Sequence, residues 1–219
     1  MKVKNIIWDW NGTLVDDGWL FVELINLVLK KRGLKQLTIK EYQKKFCFPL
    51  EKYYQRLGFD FNVEPYEVPS MEFVALYNKN KHRPILYEGA KKLLKTICDS
   101  GAKNYLLSAQ NEEALVGLVH FYGLESYFTD VRGTNNFHAR GKGVVAKEVL
   151  KKIHPKDYTL FIGDTNMDMD IAEFNGLQSI GLTFGHQAKG RFKKNQAIAL
   201  IDGFKDLAFW LASKLPDSL

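Results

Sequence analysis

The sequence predicts an α/β fold, a doubly wound parallel sheet of Rossmann-like architecture with an inserted all-helical cap domain. Short apolar runs typical of strands alternate with amphipathic helical segments from residue 83 onward, and this alternation is characteristic of parallel sheets flanked by helices. Residues 17–82 carry helical patterns only. We therefore predict an α/β core formed by residues 1–16 and 83–219, and a helical cap formed by residues 17–82.

The cap is predicted to contain four helices, over 16–32, 39–46, 50–57 and 70–81. Thr38-Ile-Lys-Glu41 has the form of a capping box, which satisfies backbone donors at the start of a helix. Gly58 is a suitable C-terminal stop. The stretch 59–69 contains two prolines and little periodicity, and we predict that it forms a loop.

The core is predicted to contain six strands, over 5–9, 103–108, 127–132, 158–162, 178–183 and 197–201. Five helices follow in turn, over 89–100, 112–122, 144–153, 168–174 and 204–214. Asn111 is a favourable N-cap for the second of these helices. An insertion that leaves after the first strand would lie over the carboxyl edge of the sheet, where such folds bind ligands.

Composition narrows the classes of protein to consider. The chain has 219 residues with 46% hydrophobic and 13% aromatic side chains, enough to bury a sizeable core. It shows no apolar run of membrane-spanning length and no signal peptide. The cysteines Cys47 and Cys98 have no metal-like spacing, and we expect reduced thiols in a cytoplasmic protein. The net charge of +6 is scattered over helical segments, so nucleic acid is not an expected partner.

Polar residues stand at the ends of three predicted strands. Asp9 ends the first strand, Ser108 ends the second, and Asp164 follows the strand 158–162, with Asp168 four residues later. Parallel strands bring these ends to one edge of the sheet. Converging carboxylates repel one another unless a cation neutralises them, and a set of oxygen ligands without His or Cys suits Mg²⁺.

These motifs resemble the haloacid dehalogenase-like hydrolase superfamily. The four ordered motifs are Asp9-Trp-Asn-Gly-Thr13, Ser108, Lys142 and Gly163-Asp164-Thr-Asn-Met-Asp168. Leu86-Tyr-Glu-Gly89 resembles the return into the core after a helical cap. Gly181-Leu-Thr-Phe-Gly185 is similar to the segment after the fourth motif in the phosphoglycolate phosphatase-like branch.

The resemblance implies a role for each matched residue. Asp9 would attack phosphorus and form an aspartyl-phosphate. Mg²⁺ would be held by the Asp9 carboxylate, the Asn11 backbone carbonyl and Asp164, with Asp168 bonding the metal or its waters. Ser108 would hydrogen-bond a phosphoryl oxygen. Lys142 would neutralise the phosphate of a small phosphorylated metabolite and orient Asp9.

Simpler structural roles compete at several of these positions. Lys147 competes with Lys142, which we favour because it follows Gly141 at the start of a helix. Asp168 could serve only as an N-terminal helix acid. Asp16 and Asp17 are expected to cap the first cap helix. His186 is expected to be a loop residue without a catalytic role, and the aromatic side chains of the cap are expected to form its core.

Asn11 departs from the pattern of phosphatases in this superfamily, which usually have Asp two residues after the nucleophile as a general acid and base. An amide can position water but cannot transfer protons at neutral pH. Three functions remain open: a Mg²⁺-dependent phosphatase acting on a small phosphomonoester, a weakly active or inactive protein that binds a phosphorylated ligand or a partner, and a phosphonate hydrolase. The last would require a cap lysine, and Lys44, Lys45 and Lys52 are present.

Overall fold

A computed structural model describes residues 2–135, 141–153 and 158–216. Its central sheet consists of the parallel strands β1 (Asn5–Trp8), β4 (Lys103–Asn111), β5 (Phe128–Thr134), β6 (Thr159–Gly163), β7 (Gln178–Leu182) and β8 (Ala199–Ile201). They lie in the order β5-β4-β1-β6-β7-β8. The predicted parallel α/β sheet is confirmed.

Helices cover both faces of this sheet. They are α5 (Ala90–Asp99), α6 (Glu112–Phe121), α7 (Lys142–Lys151), α8 (Asn166–Phe174) and α9 (Phe204–Ala212). Alternate side chains of β1 face opposite sides, as strand geometry requires. Ile6 and Trp8 pack in the hydrophobic cluster shared with α5, α6 and α9, whereas Ile7 packs in the cluster shared with α7 and α8.

Four helices separate β1 from the rest of the sheet, and we call them the helical insertion. They are α1 (Gly18–Lys30), α2 (Ile39–Lys45), α3 (Leu50–Leu57) and α4 (Glu67–Asn80). The insertion has its own buried cluster, to which Val28, Tyr42 and Tyr54 belong. Two short strands, β2 (Val15–Asp16) and β3 (Ile85–Leu86), pair antiparallel where the chain enters and leaves the insertion.

The local signals of the sequence are mostly confirmed. Thr38 and Glu41 form the predicted capping box, Asn111 accepts a hydrogen bond from the backbone of Ala114, and Gly58 ends α3 in the left-handed conformation with φ of 100°. Two expectations are wrong. Asp16 belongs to β2 and not to α1, and α4 begins before Pro69 because proline is tolerated in the first turn of a helix.

The described helices were compared with the length and hydropathy that a membrane-spanning helix needs. None of them is both long and apolar enough to cross a bilayer.

Candidate active site

The carboxyl edge of the sheet brings the predicted site residues together. Asp9 follows β1, Ser108 lies in β4, Lys142 begins α7, and Asp164 follows β6. Because β1 pairs with both β4 and β6, these three strands deliver their polar residues side by side. All four side chains are buried.

Lys142 joins two of the predicted carboxylates. Its Nζ atom donates to Asp9 Oδ1 at 2.5 Å and to Asp168 Oδ1 at 2.6 Å. Burial lowers the pKa of Lys142, but the carboxylates of Asp168 and Asp9 outweigh burial and raise it, so the lysine stays charged. Lys147, the alternative, is exposed and lies over the ring of Phe174 at 5.1 Å.

Asp168 is an N-terminal helix acid, as considered above, and its second carboxylate oxygen bonds Lys142. Its Oδ2 accepts hydrogen bonds from the Thr165 backbone at 3.1 Å and the Thr165 hydroxyl at 2.8 Å, which closes a capping box on α8. Its Oδ1 faces Lys142. The helix cap thus fixes the carboxylate that holds the lysine beside Asp9.

Asp164 is held by the two loops on either side of it. Its Oδ1 accepts from the Thr13 hydroxyl at 3.2 Å, and its Oδ2 accepts from the backbone of His186 at 2.5 Å. Gly12 has φ of 70°, and a Cβ atom there would lie 2.4 Å from Asp164 Oδ2. Glycine at position 12 is therefore required both by the turn and by the close approach of Asp164.

The carboxylates of Asp9, Asp164 and Asp168 form a compact cluster that suits a divalent metal. One oxygen from each lies within 4.8 Å of the others. Burial raises the pKa of Asp9 to about 6, although Lys142 opposes it, and raises the pKa of Asp164 to about 8, although His186 opposes it. A cation bound between these buried carboxylates would favour their charged forms and lower both pKa values.

A charge count leads to the same ion. Four buried carboxylates occupy this region, those of Asp9, Asp17, Asp164 and Asp168, beside the buried cations Lys142 and His186. In the state in which all four carboxylates are ionised to bind a cation, the two basic side chains leave two negative charges uncompensated among the described residues. The all-oxygen ligand set and this charge fit Mg²⁺.

Ser108 is oriented so that its proton is available. Its Oγ atom accepts a hydrogen bond from the backbone of Gln110 at 3.1 Å. The hydroxyl can therefore still donate to a ligand oxygen. Ser108 shares the lining of one cavity with Asp9 and Lys142, as a phosphate-binding hydroxyl must.

Asn11 is tied to the helical insertion through its side chain. Its Nδ2 atom donates to Asp17 Oδ2 at 2.5 Å and to the Tyr77 hydroxyl at 3.1 Å. Asp17 was expected to be the N-cap of α1, and its position is confirmed, but its side chain does not cap the helix. Although it occupies the N-cap position, it makes no side-chain cap bond and accepts instead from Asn11 and from the Gly12 backbone at 2.9 Å.

His186 is the residue that sequence reasoning undervalued. It lies in the loop after β7, as expected, but it is buried, and its Nε2 is 3.0 Å from Asp17 Oδ1 while its Nδ1 is 2.7 Å from the Tyr42 hydroxyl. Burial lowers the pKa of His186, but Asp17 outweighs burial and raises it to about 9. Its position directly after Gly181–Gly185 was the only signal in the sequence.

A cavity of about 170 Å³ lies between the sheet edge and the helical insertion. Its floor contains Asp9, Asn11, Ser108, Lys142 and Asp164. Much of its wall consists of aromatic side chains from the insertion, Phe21, Phe46, Tyr53, Tyr54, Phe73 and Tyr77. The expectation that the aromatic residues form only a core is therefore incomplete, because several of them also face the site.

Comparison with known proteins agrees with the motifs. The family model described as haloacid dehalogenase-like hydrolase matches residues 6–182. A phosphoglycolate phosphatase from Vibrio vulnificus is 27% identical over 197 residues, covering 84% of this chain and 86% of the relative.

Solved structures share the fold. A "predicted phosphatase" from Clostridium acetobutylicum superposes with a TM-score of 0.82 at 19% identity, covering 97% of this chain and 100% of the other. A haloacid dehalogenase-like family hydrolase from Streptococcus pneumoniae gives a TM-score of 0.75 at 19% identity, covering 95% and 98%. The family match spans most of the sequence, and this chain belongs to the haloacid dehalogenase-like hydrolase family.

Proposed function

We propose that this protein is a Mg²⁺-dependent phosphatase that hydrolyses a small phosphomonoester through an aspartyl-phosphate on Asp9. The observation that supports it best is the buried group formed by Asp9, Lys142, Asp164 and Asp168, of which Asp9, Lys142 and Asp164 line the cavity. The names of the relatives, phosphoglycolate phosphatases among them, point the same way.

Asp9 supplies the nucleophile in the first step. Its carboxylate oxygen forms a bond to phosphorus as the ester P–O bond breaks, and the departing alkoxide takes a proton from water. Lys142 keeps the Asp9 carboxylate in place and offsets the charge of the phosphate. Ser108 donates to a phosphoryl oxygen, which orients the phosphorus toward Asp9.

In the second step water attacks the phosphorus of the aspartyl-phosphate. The bond from phosphorus to Asp9 breaks, phosphate leaves, and the proton of the water passes to solvent. Asn11 can hold that water by hydrogen bonding but cannot take its proton. The absence of a general base at this position predicts slow turnover, because such a group typically contributes about 10²–10⁴-fold.

Asp9, the Asn11 carbonyl and Asp164 would hold the metal ion, with Asp168 within reach of its waters. When bound, Mg²⁺ would shield the negative phosphate from the negative nucleophile and stabilise the transferring group. The Asp168 side chain already bonds Lys142 and Thr165, so its main contribution in this proposal is to position Lys142.

The test is phosphate release from p-nitrophenyl phosphate and a panel of phosphorylated metabolites in Mg²⁺, in EDTA, and after Mg²⁺ is restored. We expect release that EDTA abolishes and Mg²⁺ restores. Asp168→Asn should reduce the rate strongly, whereas Asp170→Asn, two residues along the same helix and half exposed in a pair with Lys193, should not.

Because Asn11 cannot transfer protons, a second function is considered, in which the protein binds a phosphorylated ligand without hydrolysing it. Binding of Mg²⁺ and phosphate analogues with no turnover in the whole panel would favour it. The phosphonate hydrolase has less support, since Lys44, Lys45 and Lys52 are not among the residues that line the Asp9 cavity.

A further inference from the structure

The wall of the Asp9 cavity is apolar where the alcohol part of a substrate would lie. The helical insertion contributes Phe21, Ile25, Phe46, Leu50, Phe73 and Val74 to it. The tyrosines that join them keep their protons, because burial raises the pKa values of Tyr42, Tyr53, Tyr54 and Tyr77. These side chains offer rings and neutral hydroxyls but no charge.

Cations line only the floor of this cavity. Among the lining residues that the structure describes, Lys142 and His186 are the basic ones, and both come from the core. Lys142 is bound to Asp9 and Asp168, and His186 is bound to Asp17. A carboxylate or a second phosphate in this cavity would therefore find neutral donors but no free cation among the described lining residues, which is unfavourable for a buried charge.

The cavity volume limits the substrate to a small group. An apolar protein cavity of about 150 Å³ is large enough to bind benzene. The cavity found here has about the same volume, 170 Å³, and it is partly open, so it encloses about one ring while the phosphate lies at its floor beside Asp9.

Polar atoms without partners indicate that the cavity is built for a ligand. The Tyr53 hydroxyl and both side-chain amide atoms of Gln110 are buried and make no hydrogen bond to the described residues. Both residues line the cavity. Buried polar groups are nearly always paired in folded proteins. A bound molecule with a neutral hydrogen-bonding group would therefore supply the missing hydrogen-bond partners of Tyr53 and Gln110.

We propose that the substrate of this site is a small phosphate monoester whose alcohol part is uncharged and aromatic or apolar, about the size of one ring. This inference rests on the proposed phosphatase function and adds the substrate class. It sets this chain apart from the relatives named phosphoglycolate phosphatases, because glycolate carries a carboxylate for which the described lining residues provide no free cation.

The asparagine at position 11 is consistent with an aromatic phosphate monoester as the substrate. Asn11 cannot protonate a departing oxygen, so the reaction favours alcohols that leave without help. Phenols are better leaving groups than alkyl alcohols, and a phenyl ring fits the same apolar wall.

The test compares kcat/KM for benzyl phosphate and phosphoglycolate in Mg²⁺. In both esters the P–O bond that breaks releases a primary alcohol, HO–CH₂–R, so the comparison isolates the contribution of the cavity wall from the reactivity of an aryl ester. We expect benzyl phosphate to exceed phosphoglycolate by at least about 30-fold, because the carboxylate would lack a cationic partner in a largely apolar site.

A cation placed in the wall should reverse the preference. Val74 lines the cavity from α4 and is half-buried, whereas Val68 lies on the same helix, exposed and outside the cavity. Val74→Arg should raise kcat/KM for phosphoglycolate and lower it for benzyl phosphate by about tenfold each. Val68→Arg adds the same charge to the same helix and should change neither.

Two failures can be told apart. If the wild-type protein hydrolyses phosphoglycolate as well as or better than benzyl phosphate, the inferred substrate class is wrong and the phosphatase remains. If no ester releases phosphate, p-nitrophenyl phosphate included, the proposed function itself fails. The wild-type comparison decides the inference even if Val74→Arg does not fold.

Discussion

The Asn11 side chain donates a 2.5 Å hydrogen bond to the buried carboxylate of Asp17. The same carboxylate accepts from the Gly12 backbone and lies 3.0 Å from His186 Nε2. Position 11 therefore faces a negative charge that the sequence alone did not reveal. An amide satisfies that carboxylate, whereas a carboxylate at position 11 would repel it.

This contact defines how a proton-transferring group can be introduced. Asn11→Asp alone places two carboxylates together, which cannot both ionise easily. The double variant Asn11→Asp/Asp17→Asn exchanges the amide and the carboxylate and keeps a hydrogen bond between them. We expect the double variant to hydrolyse alkyl phosphates about tenfold or more faster than wild type, with a smaller gain for Asn11→Asp.

Steady-state kinetics with benzyl phosphate would measure the gain, and Asp17→Asn alone serves as the control with no gain. If neither variant with the introduced carboxylate gains activity, either Asn11 already serves the native chemistry or another residue supplies the proton.

Removing Lys142 should destabilise the protein and abolish activity. Lys142→Met leaves Asp9 and Asp168 buried without their shared cation, and breaking a buried ion pair costs about 3–5 kcal/mol. The exposed Lys147→Met should cost less than about 1 kcal/mol, the usual value of a surface cation–ring contact. Urea denaturation at pH 7 without Mg²⁺ measures both, and equal costs would contradict the assigned role of Lys142.

Magnesium binding should strengthen as pH rises. The pKa of Asp9 is raised to about 6 and that of Asp164 to about 8, so the metal-free folded protein holds protons that the unfolded chain has lost. Its stability therefore falls as pH rises from about 4 toward 8. Because Mg²⁺ binds the ionised carboxylates, its affinity should increase by up to about tenfold per pH unit between pH 6 and 8.

Calorimetry in buffers of different ionisation enthalpy would detect the accompanying proton release. The increase of Tm on adding Mg²⁺ should also be larger at pH 8 than at pH 6. Binding that is independent of pH and releases no proton would contradict a metal site at these carboxylates.

His186 should contribute a stability that disappears at high pH. Its pKa is raised from 6.5 to about 9, so the charged imidazole stabilises the folded state fully below pH 6.5, and this stability is lost as pH rises through 9. His186→Gln should cost about 1–3 kcal/mol near pH 6, because Asp17 loses a charged partner. The matched control is His120→Asn, at an exposed position.

Chemical denaturation from pH 6 to pH 10 should show the wild type approaching the stability of His186→Gln as pH rises. A constant difference between the two proteins across this range would show that the charge on His186 is not what stabilises the contact with Asp17.

Much of the fold follows from local patterns in the sequence. The strand leading to Asp9 is a short apolar run, and the capping box at Thr38 and the left-handed Gly58 mark helix ends by local chemistry. Such features depend on neighbours in the chain, so they can be read in sequence order. The lengths of β4 and α4 differ from prediction because strand pairing and packing extend an element beyond its local signal.

The contacts that sequence reasoning missed join residues far apart in the chain. Asp17 and His186 are separated by 169 residues, and neither belongs to the motif of the other. An acidic residue just before a helix is typical of a helix cap, so the sequence suggested that role for Asp17. In the structure the Asp17 carboxylate instead accepts a hydrogen bond from the Gly12 backbone. The aromatic wall was likewise hidden, because a ring that lines a cavity and a ring in a core have the same sequence pattern.

The most direct test of the central claim is phosphate release by Asp9→Asn. This change keeps the size of the side chain and an oxygen that can accept from Lys142, while it removes the nucleophilic carboxylate. We expect a loss of at least about 10⁴-fold in kcat for benzyl phosphate or p-nitrophenyl phosphate in Mg²⁺, with the fold retained by circular dichroism. Activity comparable to wild type in a freshly purified, folded Asp9→Asn protein would contradict the assignment of Asp9 as the nucleophile.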